Sequence, residues 1–203
     1  MSYLSPQIIG FMKDVFIRSI LAGACIGLGG AIFIKLGGVV GACMFAFGLL
    51  VVVHFKLPLY TGTAGFIDLK KWQEYNKMTV ILLGNIVGCI LLSLMFNPGV
   101  IDGTPIIQNR LSTDFLHCFT NAIGCGLIMT IIVQGGRDKN LLLILFGIPL
   151  FILLGFYHSI ADAFYMMMTS SELRTEYLPR YVIIVLGNFV GCNLPRLFKY
   201  KID

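Results

Sequence analysis

Six apolar runs, each long enough to cross a lipid bilayer as a helix, constrain this chain more than any other feature. They cover approximately residues 15–34, 37–59, 78–96, 115–134, 140–169 and 180–198. A span needs about 20 apolar residues, and it folds as a helix because lipid cannot hydrogen-bond to the backbone. We therefore predict an all-α membrane protein with six transmembrane helices.

Little of the chain remains for any other structure. Only 12% of its residues are charged and 57% are hydrophobic, whereas soluble domains contain about 25% charged residues. No polar stretch between the runs is long enough for a separate soluble domain. The sequence predicts a single transmembrane domain over residues 1–203, surrounded by the lipid bilayer. No small-residue cleavage site follows the first run, so we expect that run to be retained.

The basic residues are distributed unequally between the two sides of the predicted bundle. The side that holds both termini carries Lys13, Arg18, Lys70, Lys71, Lys77, Arg137, Lys139, Arg196, Lys199 and Lys201. The opposite side carries Lys35, Arg110, Arg174 and Arg180. Because cytoplasmic loops are rich in lysine and arginine, we expect a multi-pass protein of the plasma (inner) membrane with both termini cytoplasmic. This topology accounts for the net charge of +5, so the charge does not indicate nucleic-acid binding.

The sulfur-containing residues predict no cofactor. All six cysteines lie in apolar runs and none forms a Cys-x-x-Cys pair, which is typical of small core residues rather than disulfides or metal ligands. We interpret Tyr165–Met168 as flexible apolar filler, with a copper site as the less favoured alternative.

An internal repeat organises the six spans. Leu83–Cys89 in span 3 matches Leu186–Cys192 in span 6 with six identities in seven positions, at an offset of 103. A repeat unit of three spans is odd in number, so its second copy must insert upside down. The sequence predicts two inverted repeats, over about 15–96 and 115–198.

Inverted-repeat transporters place their pathway where interrupted helices of the two halves meet, so we expect spans 2 and 5 to be broken. The helix breakers near the end of span 2 are Pro58, Gly62 and Gly65. At an offset of 98, Lys56–Phe66 lines up with Leu154–Phe164, and Tyr60 then corresponds to His158. These two segments are the predicted pathway.

The same two segments resemble a known family. Leu59–Gly62 is similar to the Leu-Phe-Thr-Ser of the formate/nitrite transporter family, and Gly155–Phe164 resembles its Gly-Phe-Glu-His-Ser-Ile-Ala-Asn-Met-Phe. The Gly-Asn-x-x-Gly of spans 3 and 6 is also similar. The resemblance implies an aquaporin-like bundle of six helices, assembled as a homopentamer with one pore per protomer. Its implied partner is a small monovalent weak-acid anion, such as formate, nitrite, hydrosulfide or acetate, or the conjugate acid.

The resemblance also implies roles for individual residues. His158 would be the central pore histidine, Thr61 its hydrogen-bonding neighbour, and Lys139 the lysine near the start of span 5. The aromatic residues Tyr60 and Phe156 are open to two interpretations, as a pore constriction or as packing.

The chemistry of weak acids suits a histidine in such a pore. A bare anion loses much hydration free energy in a low-dielectric constriction, and the neutral acid loses far less. An imidazole can donate a hydrogen bond to the anion, or donate its proton and recover it. Either action favours passage where the pore is narrowest.

Three residues depart from the family pattern or from ordinary membrane composition. Tyr157 stands where a glutamate is expected, Asp162 stands where an asparagine is expected, and Lys56 lies at membrane depth. Our hypothesis is that Lys56, Asp162 and His158 form one electrostatic cluster that resets selectivity.

Other functions compete with the anion channel. A pore for small neutral solutes such as urea, ammonia or water is the main alternative. An intramembrane enzyme using His158 and Asp162 lacks a nucleophile or a metal-binding motif, and a purely structural role leaves the intramembrane charges unexplained. We expect the connection 97–114 to be an ordinary external loop with no role in transport.

Overall fold

The computed structural model describes residues 6–97 and 99–198. Within these ranges all regular structure is helical and no strand occurs, which confirms the predicted all-α class. The α-helices in chain order are α1 (Pro6–Leu36), α2 (Gly38–His54), α3 (Tyr60–Thr63), α4 (Trp72–Ser93), α5 (Thr104–Leu111), α6 (Phe115–Arg137), α7 (Leu142–Leu153), α8 (Ser159–Met167) and α9 (Ser171–Asn193). Lys199 and Lys201, counted above in the charge distribution, lie outside the described residues.

The apolar helices differ in length. Among the described residues, four helical segments are long and apolar enough to cross a membrane: Pro6–Leu36, Trp72–Ser93, Phe115–Arg137 and Ser171–Leu197. The apolar helices α2 and α7 are shorter, with 17 and 12 residues. Each is followed by five residues without regular helix, 55–59 or 154–158, and then by α3 or α8.

The long helices pack in pairs through small residues. Helix α1 packs on α4 and α6 packs on α9. A Cβ on Gly88 would lie 2.0 Å from the Ile20 carbonyl oxygen, and one on Gly191 would lie 2.1 Å from that of Ile123. Helices in lipid associate largely through such close packing, because no hydrophobic force drives them together. The Gly-Asn-x-x-Gly segments therefore place the backbones of each pair in contact.

The two helices that follow the interruptions, α3 and α8, contact each other. Helix α8 is buried from Ser159 to Met166 and contacts α1, α4, α5 and α9. Helix α3 contacts α4, α6, α8 and α9. The interruptions in the two halves are thereby brought together.

Side-chain caps set where two of the long helices begin. The Asp114 carboxylate accepts from the His117 backbone N–H at 3.0 Å and begins α6, and the Ser170 hydroxyl accepts from Leu173 N–H at 3.4 Å and begins α9. The His117 N–H, together with its imidazole, holds the pKa of the Asp114 carboxyl below its ordinary value.

Candidate functional site

In the first half, Asn85 of α4 holds the interruption that precedes α3. The Tyr60 backbone N–H donates to Asn85 Oδ1 at 2.8 Å. Asn85 Nδ2 donates to the carbonyl oxygens of Ser19 at 2.8 Å and Pro58 at 3.0 Å. One buried amide therefore satisfies the Tyr60 N–H and the Pro58 carbonyl oxygen, backbone groups of the interruption that have no partner within a helix, and connects them to Ser19 of α1.

In the second half, Asn188 of α9 does the same for the interruption before α8. The Ser159 N–H donates to Asn188 Oδ1 at 2.8 Å, and Asn188 Nδ2 donates to the carbonyl oxygens of Ala122 and Tyr157, both at 2.8 Å. These bonds pair Tyr60 with Ser159, an offset of 99. The offset of 98 used above is therefore wrong by one residue.

The corrected offset changes which residue corresponds to His158. Leu59 precedes the first residue of α3, and His158 precedes the first residue of α8. Leu59 is therefore the counterpart of His158, and Thr61 is the counterpart of Ile160. The histidine occurs in one half only.

His158 is held in a single tautomer. Its side chain is 2% exposed, and Nδ1 accepts from the Ala161 backbone N–H at 3.1 Å, which makes His158 the N-cap of α8. A backbone N–H only donates, so Nδ1 carries no proton and the neutral ring carries its proton on Nε2. Nε2 lies 2.8 Å from Thr61 Oγ1 and donates to it. The Thr61 hydroxyl proton is thereby left available for a second acceptor.

One cavity reaches His158 from the side that holds α5. This His158 cavity has a volume of about 270 Å³ and is mostly apolar. It is lined by Phe33, Pro105, Ile106, Asn109, Arg110, Phe151, Ile152, Gly155, Phe156, His158, Ala161 and Tyr165. Phe156, a predicted site residue, is thus placed on its wall.

A larger cavity of about 1150 Å³ opens next to the other interruption. Its basic lining residues are Lys56, Lys77, Arg137 and Lys139, and we refer to it as the lysine cavity. Leu57, Leu59 and Gly62 also line it. The two cavities share no lining residue, and the Thr61–His158 hydrogen bond links the segment lining one to the segment lining the other.

Asp162 pairs with an arginine that the sequence analysis did not connect with it. Its Oδ1 accepts from Arg110 Nη2 at 2.8 Å and from Arg110 Nε at 2.9 Å, and its Oδ2 accepts from the Tyr177 hydroxyl at 3.0 Å. Asp162 is fully buried and the Arg110 side chain is 12% exposed. The predicted cluster of Lys56, Asp162 and His158 is therefore wrong, because Lys56 lines the opposite cavity.

The expectation that residues 97–114 form an ordinary loop is also wrong. Its described part contains α5, whose Arg110 lines the His158 cavity and pairs with Asp162. Arg110 also lies over the Tyr157 ring, 4.3 Å from its centroid. Tyr157 itself is buried, and its hydroxyl lies 3.0 Å from Thr113 Oγ1. The tyrosine that replaces the expected glutamate thus supports an arginine instead of orienting the histidine.

The remaining predicted site residues do not lie together. Lys56 and Lys139 both line the lysine cavity. Tyr60 is 6% exposed, donates from its hydroxyl to the Val185 carbonyl oxygen at 3.3 Å and lines neither cavity, so its position is that of a packed residue.

Arg110 and Tyr177 are the residues that sequence reasoning missed. A buried carboxylate in an apolar run requires a cation, and few basic residues were predicted on the side of Asp162. That requirement was the available signal for Arg110. Within the described residues, no group of three histidine, cysteine, aspartate or glutamate residues could hold a metal ion.

Comparison with known proteins decides the family. A family model described as formate/nitrite transporter matches residues 11–198. The chain belongs to the formate/nitrite transporter family. This member is 22% identical to the uncharacterized transporter YrhG of Bacillus subtilis (strain 168), over 89% of this chain and 81% of the relative.

Solved structures share the fold of this formate/nitrite transporter family member. A pentameric formate channel with formate bound matches with a TM-score of 0.82 and 19% identity, over 94% of this chain and 96% of that chain. An FNT family ion channel matches with a TM-score of 0.79 and 20% identity, over 93% and 89%. The family and these neighbours are channels and transporters, not enzymes. The chain is accordingly a transmembrane transport protein.

Proposed function

We propose that this protein is a channel for small monovalent weak-acid anions of the formate, nitrite, hydrosulfide and acetate class, with His158 and Thr61 at its constriction. The observation that carries the proposal is the Thr61–His158 hydrogen bond, which lies between two cavities that share no lining residue. A polar pair buried between the two cavities supplies hydrogen bonds where an ion has lost its hydration.

The proposed architecture is a bundle of six spans in two inverted repeats. Helices α2 and α3 form the second span and α7 and α8 the fifth, each interrupted at the membrane midplane. Four basic residues line the lysine cavity, which supports a cytoplasmic location for that side and for both termini in an inner-membrane protein. The pentameric state of the related formate channel supports a homopentamer.

The hydrogen bonds of His158 favour one mechanism over another. Nε2 already carries a proton, so any proton that His158 gains must go onto Nδ1 and replace the bond from Ala161. Losing a helix N-cap costs about 0.5–2 kcal/mol, so proton donation by His158 carries this penalty. Hydrogen-bond donation by the Thr61 hydroxyl, polarised by His158 Nε2–H, carries no such penalty. We propose that the Thr61 hydroxyl donates a hydrogen bond to the passing anion, and that His158 protonates a substrate only at the additional cost of its N-cap bond.

Flux into proteoliposomes tests the proposal. Formate, nitrite, hydrosulfide, acetate and urea are compared from mildly acidic to neutral pH in the wild type, His158→Asn and His158→Ala. Asparagine is a good N-cap and cannot titrate, so His158→Asn keeps α8 folded and removes the imidazole, whereas His158→Ala removes both. We expect anion flux in the wild type and its loss or altered pH dependence in His158→Asn.

A pore for small neutral solutes remains the second candidate, and one observation favours it. Arg110 and Asp162 neutralise each other at the His158 cavity, so that mouth offers an anion little net charge. Urea entry without anion flux in the same assay would support the neutral pore and contradict the anion channel.

A further inference from the structure

Two lysines adopt a backbone conformation that normally belongs to glycine. Lys56 has φ of 51° and Lys139 has φ of 63°, and no other non-glycine residue in the described part of the chain has a positive φ. The left-handed region is unfavourable for side chains with a Cβ, and such strain persists mainly at functional positions. Both lysines line the lysine cavity.

The turn at Lys56 has a counterpart in the second half, and there the residue is glycine. After α2, Lys56 N–H donates to Val53 O at 3.1 Å and Leu57 N–H to Val52 O at 2.8 Å. After α7, the equivalent bonds run from Gly155 to Ile152 and from Phe156 to Phe151, both at 3.0 Å. Gly155 has φ of 73°. The two turns are the same left-handed helix end, in which glycine is the preferred residue.

Lys139 follows the same pattern. The connection between α6 and α7 places Lys139 in the left-handed region, whereas the corresponding connection between α1 and α2 uses Gly37, with φ of 63°. Both lysines lie on the lysine cavity, and at the turn equivalent to that of Lys56 the second half has Gly155. The backbone conformation therefore does not account for lysine at these positions. The reason for lysine lies in its side chain.

The turn that carries Lys56 is braced from outside. Arg18 Nη2 donates to the carbonyl oxygens of Phe55 at 3.2 Å and Lys56 at 2.9 Å. This bracing holds the strained residue in place. The Lys56 side chain is exposed, and within residues 6–97 and 99–198 its ammonium has no acidic partner. Lys77, by contrast, lies 3.5 Å from Glu74.

We propose that Lys56 forms an anion-binding subsite at the mouth of the lysine cavity and makes the two mouths of the channel unequal. This inference rests on the proposed anion channel and deepens it. A cavity lined by charges of one sign raises the local concentration of small ions of the opposite sign. The His158 mouth lacks this effect because Gly155 replaces the lysine and Asp162 neutralises Arg110. The channel therefore captures anions better from the lysine side.

The test measures formate influx separately from each side of vesicles in which the protein has one orientation. The variants are Lys56→Gly, Lys56→Arg, Gly155→Lys and the double variant Lys56→Gly/Gly155→Lys. At low salt, we expect Lys56→Gly to lower influx from the lysine side about three- to tenfold, with a smaller effect at high salt. Lys56→Arg retains the wild-type asymmetry, and the double variant reverses it.

Thermal stability separates this role from a structural one. Lys56→Gly relieves the left-handed strain, so its melting temperature should match or exceed that of the wild type while its influx falls. Unchanged influx from the lysine side in Lys56→Gly, with normal formate transport by the wild type, would contradict the role of Lys56 and leave the proposed channel intact. Absence of anion flux in the wild type from either side would overturn the proposed channel and this inference with it.

Discussion

The two halves of this protein share a backbone framework but not a chemistry. Asn85 and Asn188 make the same hydrogen bonds to the two interruptions, with donor–acceptor distances of 2.8–3.0 Å. The residue that precedes the second helix is Leu59 in one half and His158 in the other. The comparison teaches that the repeat extends to the backbone framework, whereas the buried histidine occurs in one half only.

The halves are also linked across the centre by equivalent bonds. Cys89 Sγ donates to the Ile160 carbonyl oxygen at 3.3 Å, and Cys192 Sγ donates to the Thr61 carbonyl oxygen at 3.3 Å. Each half thereby binds the short helix of the other. Of the six cysteines predicted as small core residues, Cys43 is exposed, whereas Cys89 and Cys192 are buried and also act as hydrogen-bond donors.

The largest expected difference between the halves is at Asp162. Its counterpart at an offset of 99 is Thr63, which lines the lysine cavity. Asp162→Asn leaves Arg110 largely buried without a charge partner, so we expect a loss of about 3 kcal/mol in the free energy of unfolding. Thr63→Ala should change it by less than about 0.5 kcal/mol. Denaturant titration in detergent measures both.

A double variant is the control for this prediction. Arg110→Met/Asp162→Asn removes the uncompensated charge and keeps an acceptor for the Tyr177 hydroxyl, so most of the lost stability should return. A double variant as unstable as Asp162→Asn would contradict the assignment of the cost to the unpaired arginine.

The second prediction concerns what the halves share. Asn85→Ala and Asn188→Ala each leave a buried N–H and a carbonyl oxygen of an interruption without their partner, and we expect each to cost about 2–4 kcal/mol. The two losses should agree within about 1 kcal/mol if the framework is equivalent. Unequal losses, measured by the same titration, would break the comparison between the halves.

The smallest expected effect is at the two cysteines. A thiol is a weak donor, so Cys89→Ala and Cys192→Ala should each cost about 0.5–1 kcal/mol. The serine variants keep a donor at the same position and serve as controls. If alanine and serine variants have equal stability at both positions, the thiol hydrogen bonds contribute nothing and the cysteines act only by packing.

Much of the framework could be predicted because its signals are local. Apolar runs require helices in lipid, and the repeat of Leu83–Cys89 in Leu186–Cys192 indicated two related sets of three spans. The resemblance to the formate/nitrite transporter family implied that Thr61 is the hydrogen-bonding neighbour of His158, and the structure has their side chains 2.8 Å apart. The alignment at an offset of 98 was wrong by one residue, because the equivalent positions are defined by the hydrogen bonds of Asn85 and Asn188.

The sequence by itself determined that this chain is a helical membrane protein with a repeat, and it placed His158 in one of the two predicted pathway segments. The tertiary structure alone decided the partner of Asp162 and the cavity that Lys56 lines. Burial preference depends on each residue and its neighbours along the chain, whereas an ion pair depends on where distant segments fold. Arg110 is 52 positions from Asp162, and only the return of α5 onto α8 brings the two charges together.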